Sequence, residues 1–231
     1  MIDKTTSIDG ALSAIRDGHR LMVGGFGGPG TPFTLLEGVL ERGSGGLTLV
    51  KNDANEPRMG ISRLLEAGRA RTLIASHIGL NPVAVAMMQR GEIEVELHPQ
   101  GILAEKIRAG GAGLLGFLTD IGLDTPLREN RHVIRVDGRE AILERPLRAD
   151  VTMIHAAIAD TAGNLIFAKS GRNFCPLMAT AADTVIVEAE EVVPAGTLDP
   201  DRIHLPGAFV DHVVALAKLT PEYGVLPQHV L

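Results

Sequence analysis

The feature that most constrains this chain is a run of glycines that directly follows a short apolar segment. Five of the ten residues in VGGFGGPGTP, residues 23–32, are glycine, and Leu21, Met22 and Val23 lead into them. The apolar segment is typical of a buried strand, while Thr31 and Pro32 are typical of an N-cap and the first turn of a helix. The sequence therefore predicts a strand that turns through bare backbone into a helix, which is a common place for ligands in open parallel sheets.

Strands and helices alternate through the first half of the chain. Apolar runs predict strands at 20–24, 47–50, 72–76 and 93–97. Helical spacing and capping residues predict helices after Ser7, after Thr31, at 61–67, from Asn81 to Arg90 and at 102–108. Short joints between the elements imply parallel pairing with right-handed crossovers. We expect an α/β fold in one domain, residues 1–231, with an open, mainly parallel sheet and flanking helices.

The second half has a different pattern. Asp137-Gly138 separates two apolar runs, 132–136 and 140–143, and predicts a β-hairpin. Further strands are expected at 151–157, 165–168 and 184–188, with a short helix at 176–182. We expect this half to contribute a mixed or antiparallel portion at the sheet edge. Glu188, Glu190 and Glu191 are interpreted as a solvated end of the last strand.

Composition excludes several classes of function. The formal net charge is -6 and the basic residues are spread along the chain, which argues against a nucleic-acid partner. The apolar runs are far shorter than a membrane span, and the first residues lack the pattern of a targeting signal. A single cysteine forms no internal disulfide, and the eight histidines lack metal-ligand spacing. We expect a cytoplasmic protein without membrane or metal.

The glycine run also fits a dinucleotide-binding pattern. Residues 25–30 match G-x-G-x-x-G, and Asp53 lies about where the ribose-binding acid would stand. Pro29 and Pro32 argue against this interpretation, because proline supplies no N–H group to a pyrophosphate. Two interpretations of the loop stay open at this point: it belongs to an NAD(P)-dependent oxidoreductase or other nucleotide-binding module, or it is a tight crossover without a ligand.

Several blocks together resemble a known family. The stretch from Asp17 to Pro32 resembles the signature of the A (alpha) subunit of family I coenzyme A transferases, of the 3-oxoacid or acetate–acetoacetate type. Further blocks that resemble the family follow in order at 75–82, 99–101, 108–113, 143–150, 162–165 and 172–174. The resemblance therefore covers nearly the whole chain. It implies an enzyme subunit whose substrates are coenzyme A (CoA) thioesters and carboxylic acids, with no permanently bound cofactor.

The resemblance also implies a division of labour between two chains. In the family, CoA moves by a ping-pong route through a glutamyl-CoA thioester, and the nucleophilic glutamate lies in a Ser-Glu-Asn-Gly motif of the B (beta) subunit. This chain has no such motif. We therefore expect no catalytic nucleophile here, a B-subunit partner in a heterotetramer of two A and two B chains, and a short-chain acceptor such as acetate, butyrate or a 3-oxoacid.

Site residues carried over from the resemblance lie mainly at strand ends. The loop expected to face CoA comprises Gly24, Gly25, Phe26, Gly27, Gly28, Pro29 and Gly30. Gln100 is expected either to stabilise an oxyanion or merely to cap the next helix. Asn52, His77 and Gly113 are expected at the substrate pocket, although a loop histidine and a plain loop are the alternatives for the last two.

Two positions depart from the family pattern. Asp53 stands where the family often has a second asparagine, so that the role of this position is open. Cys175 stands where another small residue is common. With no base beside it in the sequence, Cys175 is expected to be a buried thiol rather than a nucleophile.

Overall fold

The computed structural model describes residues 2–129 and 131–223. The strands are β1 (Arg20–Val23), β2 (Leu47–Val50), β3 (Ala70–Ala75), β4 (Glu94–Leu97), β5 (Phe117–Thr119), β6 (His132–Val136), β7 (Arg139–Glu144), β8 (Ala149–Asp160), β9 (Leu165–Ile166), β10 (Ala182–Val193) and β11 (His212–Ala215). The α-helices are α1 (Ile8–Leu12), α2 (Phe33–Arg42), α3 (Ile61–Glu66), α4 (Pro82–Gln89), α5 (Gln100–Gly111) and α6 (Cys175–Thr180). Short 3-10 turns occur at Pro126–Arg128, Lys169–Arg172, Pro200–Arg202, Gly207–Phe209 and Pro221–Tyr223.

The main sheet has the strand order β11-β10-β8-β1-β2-β3-β4, and all of these neighbours pair in parallel. Among the strands of this sheet that the structure describes, the short β9 alone pairs antiparallel, with β8. All four residues of β2 are buried, as expected of a parallel strand covered on both faces. The alternating pattern of the sequence therefore does produce the expected α/β fold with a mainly parallel sheet.

Helices cover both faces of this sheet. Leu12, Leu35, Leu64 and Met87, from α1 to α4, pack with one face in the largest core cluster. Leu103, Ile107 and Met178, from α5 and α6, pack on the other face against residues of β1, β2 and β3. The crossover after β4 thus changes face, so that α5 begins at the same edge of the sheet as the glycine loop but lies on the opposite side. No helix in the described part of the chain is long and apolar enough to span a bilayer.

The antiparallel portion lies in the second half of the chain, as expected, but not at the edge of the main sheet. The predicted hairpin forms as β6 and β7, but it joins β5 in a separate three-stranded sheet instead of extending the edge of the main sheet. Strands β8 and β10 are parallel strands in the interior of the main sheet, because β8 pairs with β1 and β10 lies between β8 and β11. Sequence patterns also missed β5 and β11, which are three and four residues long.

The candidate site lies at the carboxyl edge of the main sheet. On one side of β1 the sheet continues with β2, β3 and β4. On the other side of β1 it continues with β8, β10 and β11. In open α/β sheets, ligands bind outside the carboxyl ends of strands where the strand order reverses. The loops that follow β1, β2, β3 and β4 therefore form the candidate ligand-binding region.

Candidate functional site

The glycine loop begins where β1 ends, and its first glycines are required by close packing. A Cβ on Gly24 would lie 2.7 Å from the Cys175 sulfur. Gly25 has a φ of +105°, and a Cβ there would collide with Thr31. In contrast, a Cβ on Gly27 or Gly28 would meet nothing within 4 Å. The loop is therefore tightly packed where it leaves the strand and open to solvent at its tip.

The Gly27 residue at the tip is held by side chains on both of its backbone polar groups. Its N–H donates to Oδ2 of Asp53 at 2.7 Å. Its carbonyl oxygen accepts from Oγ1 of Thr31 at 2.7 Å, Nδ2 of Asn55 at 2.8 Å and Nζ of Lys51 at 3.2 Å. The predicted N-cap role of Thr31 is thus wrong: its hydroxyl bonds back into the loop, and α2 begins at Phe33 with Pro32 as a cap that makes no side-chain bond.

Lys51 and Asp53 form a buried ion pair beneath the loop. The Lys51 side chain is fully buried, and its ammonium lies 3.3 Å from Oδ1 of Asp53 and 3.4 Å from the Gly25 carbonyl oxygen. Burial raises the pKa of Asp53, but the Lys51 charge and hydrogen bonds from Gly27, Asn52 and Asn55 outweigh it and bring the pKa below its usual value. Burial lowers the pKa of Lys51 below its usual value, and the Asp53 charge offsets only part of this effect. Asp53 is therefore an ionised, fully engaged acceptor.

Asn52 connects this pair to the end of β4. Its Oδ1 accepts from Nε2 of Gln100 at 2.8 Å and from Oγ of Ser76 at 3.0 Å, and its Nδ2 donates to Asp53 at 3.0 Å. Asn52 is fully buried and does not line the pocket, contrary to the expectation from the sequence. Gln100 begins α5 without making a capping bond, so the capping alternative for its side chain is wrong.

An open cleft of about 90 Å³ lies over the loop tip. The residues around it come from the ends of β1, β2 and β3: Phe26, Gly27, Gly28, Asp53, Ala54, Asn55, Glu56, Met59, His77, Ile78, Leu80 and Asn81. His77 thus lies at the cleft, with Nδ1 3.2 Å from Oγ of Ser76. Gly113 does not join them, because it follows the carboxyl end of the twelve-residue α5, about 18 Å along the helix axis from Gln100.

A second buried cluster lies at the start of α2. Oε2 of Glu188 accepts from the Leu35 N–H at 2.9 Å, and Oε1 of Glu188 bonds with Nδ1 of His155 at 3.0 Å and with the Tyr223 hydroxyl. The Tyr223 oxygen also accepts from the Thr34 N–H at 3.1 Å. Glu188 is fully buried, so its interpretation as part of a solvated strand end is wrong: β10 continues five residues further, to Val193. Glu190 and Glu191 on this extension are exposed.

The cysteine is buried as expected. Its thiol contacts the carbonyl oxygens of Gly171 at 3.5 Å and Gly30 at 3.6 Å. Burial raises the pKa of the Cys175 thiol to about 12, which leaves it protonated at neutral pH and unsuited to act as a nucleophile. Within residues 2–129 and 131–223, no group of three or more histidine, cysteine or acidic side chains is arranged to hold a metal ion.

Sequence reasoning missed Lys51, Asn55 and the His155–Glu188 pair. Lys51 directly follows the four buried residues of β2, a position that usually marks a solvated strand end. One local feature could have identified Asn55 as a residue with an unusual backbone conformation. Asn adopts positive φ more readily than most residues, and the φ of Asn55 is +53°. His155 lies inside an apolar run, where a histidine is conspicuous, but its partner is 33 residues away.

The chain is similar to known coenzyme A transferases over most of its length. The family model described as Coenzyme A transferase matches residues 5–216. A probable coenzyme A transferase subunit alpha from Bacillus subtilis (strain 168) is 49% identical over 212 residues, which cover 91% of this chain and 93% of the relative. The acetate CoA-transferase subunit alpha of Escherichia coli (strain K12) is 49% identical over 214 residues, which cover 93% and 97% of the two chains.

A solved structure shares the fold. An acyl-CoA transferase from E. coli O157:H7, determined as a thioester complex with CoA, superposes with a TM-score of 0.84 at 23% identity. The superposition covers 96% of this chain and 49% of that protein. This chain thus spans about half the length of that transferase.

Proposed function

The chain belongs to the coenzyme A transferase family, and from this premise we propose that it is the alpha subunit of a two-chain enzyme. It is an enzyme subunit of the CoA-transferring type, like the alpha subunits that it matches. In our proposal, the chain is one domain, works in the cytoplasm, and moves CoA from an acyl-CoA to a short-chain carboxylic acid together with a beta chain. The observation that carries this proposal is the network that links Gln100, Asn52 and Asp53 to the backbone of Gly27 beside an open cleft.

The network suits acyl transfer because it presents donors without a nucleophile. Attack on a thioester or an anhydride develops negative charge on a carbonyl oxygen, and preorganised N–H groups stabilise that charge. Gln100 is exposed at the sheet edge and retains a second amide hydrogen besides the one that it donates to Asn52. Asp53, the carboxylate closest to the loop tip, is engaged with Lys51, Gly27 and Asn55. We therefore propose that the attacking carboxylate, a glutamate, comes from the beta chain and that transfer is ping-pong.

The dimensions of the cleft support a site shared by two chains. At about 90 Å³ the cleft is much smaller than the 300 to 1,000 Å³ usual for pockets that enclose a drug-sized ligand. A CoA thioester is larger still, so this chain by itself forms one wall of the site. We propose that the beta chain supplies the other wall and that two alpha and two beta chains assemble.

The nucleotide-binding alternative is disfavoured by the second cluster. A dinucleotide site needs free N–H groups and positive potential at the helix that follows the glycine loop. In this chain the Leu35 N–H already donates to the buried carboxylate of Glu188, and the Thr34 N–H donates to Tyr223. A pyrophosphate at this helix would lie against a buried negative charge. Asp53 is likewise engaged by the loop and is not available to a ribose.

For the acceptor acid we propose acetate or a short-chain 3-oxoacid such as acetoacetate. The segment 76–82, which resembles the acetate and acetoacetate branch of the family, contributes His77, Ile78, Leu80 and Asn81 to the cleft. Five apolar side chains line the same cleft: Phe26, Ala54, Met59, Ile78 and Leu80. This lining suits a small acyl chain with one polar end.

The decisive experiment combines the purified chain with its proposed beta-chain partner. We expect the mixture to convert acetyl-CoA and acetoacetate into acetoacetyl-CoA and acetate, with parallel lines in double-reciprocal plots that mark a ping-pong route. The alpha chain alone should show no turnover. Turnover by the alpha chain alone, or saturable binding of NADH in place of CoA by the complex, would contradict the proposal.

The contribution of Gln100 is tested in the same assay. Loss of one oxyanion donor typically reduces kcat by about 10²- to 10³-fold, and we expect a loss in this range for Gln100→Ala. Gln100→Glu is the matched variant, because it keeps the size of the side chain and removes the N–H donors. Full activity of Gln100→Glu would exclude the proposed role.

A further inference from the structure

The orientation of one peptide group in the glycine loop sets which atom faces the cleft. The carbonyl of Gly27 and the N–H of Gly28 belong to the same peptide, and no peptide bond in the described chain is cis. In a planar trans peptide, the C=O and N–H bonds point in opposite directions. Three donors, on Thr31, Asn55 and Lys51, draw the Gly27 oxygen toward the protein interior. The Gly28 N–H must therefore point away from the interior.

The surroundings of Gly28 agree with that direction. Gly28 lines the cleft, and a Cβ built on it meets no atom within 4 Å. Among the described residues, no acceptor pairs with the Gly28 N–H, although the adjacent loop amides of Phe26 and Gly27 are both paired. An unpaired donor that is fixed in place from behind is preorganised for an oxygen atom of a ligand.

Lys51 is the unusual element of this arrangement. Burying an ammonium group costs several kcal/mol unless nearby groups compensate it, and a fully buried lysine at a strand end has no packing advantage over leucine or methionine. Its position has a specific electrostatic consequence, because a cation on the carbonyl side of a peptide polarises it and increases the positive partial charge on the N–H. Asp53 holds the ammonium there and also fixes the preceding N–H of Gly27.

We propose that the Gly28 N–H is an oxyanion donor for the thioester carbonyl, and that Lys51 is a positioning residue that aims and polarises it from behind. This inference rests on the proposed function, since it assigns a role within acyl transfer. It gives the chain two donors to developing charge, Gln100 from the end of β4 and Gly28 from the end of β1. It also gives a role to the buried cation next to a loop that has no charged side chain of its own.

The test uses the complete alpha–beta complex with Lys51→Met, which keeps the length of the side chain and removes the charge. We expect kcat to fall by about 10- to 100-fold, less than the full loss of a donor, because the N–H remains but is misaimed. The dissociation constant for S-ethyl-CoA, a thioether that lacks the thioester carbonyl, should stay within about 2-fold of wild type, because ground-state binding needs no oxyanion donor. Lys106→Met is the matched control: it removes the ammonium of another buried ion pair, with Glu144 at 2.8 Å, that does not line the cleft, so its kcat should change by less than about 3-fold.

A second variant distinguishes a loss of catalysis from a loss of folding. Lys51→Met leaves Asp53 buried without its partner, so Lys51→Met/Asp53→Asn removes both charges and restores the balance. It should fold and assemble with the beta chain, and still lose kcat. Either variant with wild-type kcat in a correctly assembled complex would overturn the inference, as would equal losses in kcat and in S-ethyl-CoA affinity. A wild-type complex that transfers no CoA would instead contradict the proposed function.

Discussion

Two clusters of buried charge flank the glycine loop, and they differ in what they face. Lys51 and Asp53 bind the backbone of the loop tip, and Asp53 also lines the cleft. Glu188, His155 and Tyr223 bind one another and the first amides of α2, and none of the three lines the cleft. The chemistry of the two clusters is similar, yet only the first is positioned to act on a ligand. We therefore expect the first to govern turnover and the second to govern stability.

The largest expected effect concerns the second cluster. Glu188→Ala removes the acceptor of the Leu35 N–H, His155 and Tyr223 and leaves these groups buried. Breaking a buried charged network in this way costs about 3 to 5 kcal/mol of unfolding free energy, which urea denaturation measures. Glu190→Ala is the control: Glu190 also contacts His155, but its side chain is 39% exposed, so the loss should stay below about 1 kcal/mol.

The same position separates stability from catalysis. Glu188→Gln keeps the shape of the side chain and one acceptor oxygen, so we expect it to fold with reduced stability. Its kcat in the assembled complex should remain within about 3-fold of wild type, because nothing in this cluster reaches the cleft. A kcat loss as large as that of Lys51→Met would remove the distinction between the two clusters.

The next effect contrasts the two ends of the glycine loop. Gly25→Ala would place a Cβ against Thr31 at a φ of +105°, and should cost about 1 to 3 kcal/mol of stability. Gly28→Ala adds a methyl group in open space and should change stability by less than about 0.5 kcal/mol. Thermal unfolding of the two variants side by side measures the difference. Equal destabilisation would mean that the loop tip is packed rather than open.

The smallest effect is a pH dependence of the second cluster. Burial lowers the pKa of His155, but hydrogen bonds and charges from Glu188 and Glu190 outweigh it, so the pKa in the folded protein is raised. A raised pKa means that the contribution of His155 to stability is full below its unfolded pKa, about 6.5, and is lost as pH rises through the folded value. The stability difference between wild type and His155→Gln should thus be larger at pH 6 than at pH 9. A difference that grows with pH would contradict this sign.

The sequence predicted which loops form the site better than it predicted which side chains are buried there. Alternating strands and helices bring the ends of β1, β2, β3 and β4 to one edge, so that Gln100 and the glycine loop could be expected near each other. Lys51 could not be identified in this way, because its burial depends on the loop carbonyls of Gly25 and Gly27, which belong to another strand end. Glu188 was misjudged for the same reason: its partner N–H on Leu35 lies 153 residues away.

Local rules also failed where the backbone is irregular. Thr31 matches an N-cap in sequence, yet its hydroxyl donates a hydrogen bond to the Gly27 carbonyl oxygen in the loop. The chain turns at Gly30, and α2 begins only at Phe33. Asn52 was expected at the pocket surface, but the buried neighbour Asp53 and the amide of Gln100 both draw its side chain inward. In both cases a tertiary contact outweighs the preference of the local segment.

The most direct test of this account is a crystal structure of the alpha–beta complex with an acyl-CoA bound. We predict that the thioester carbonyl oxygen lies within about 3.2 Å of the Gly28 nitrogen, with the attacking glutamate supplied by the beta chain. An acyl-CoA whose carbonyl lies beyond hydrogen-bond reach of the loop tip, or at the opposite edge of the sheet, would contradict it.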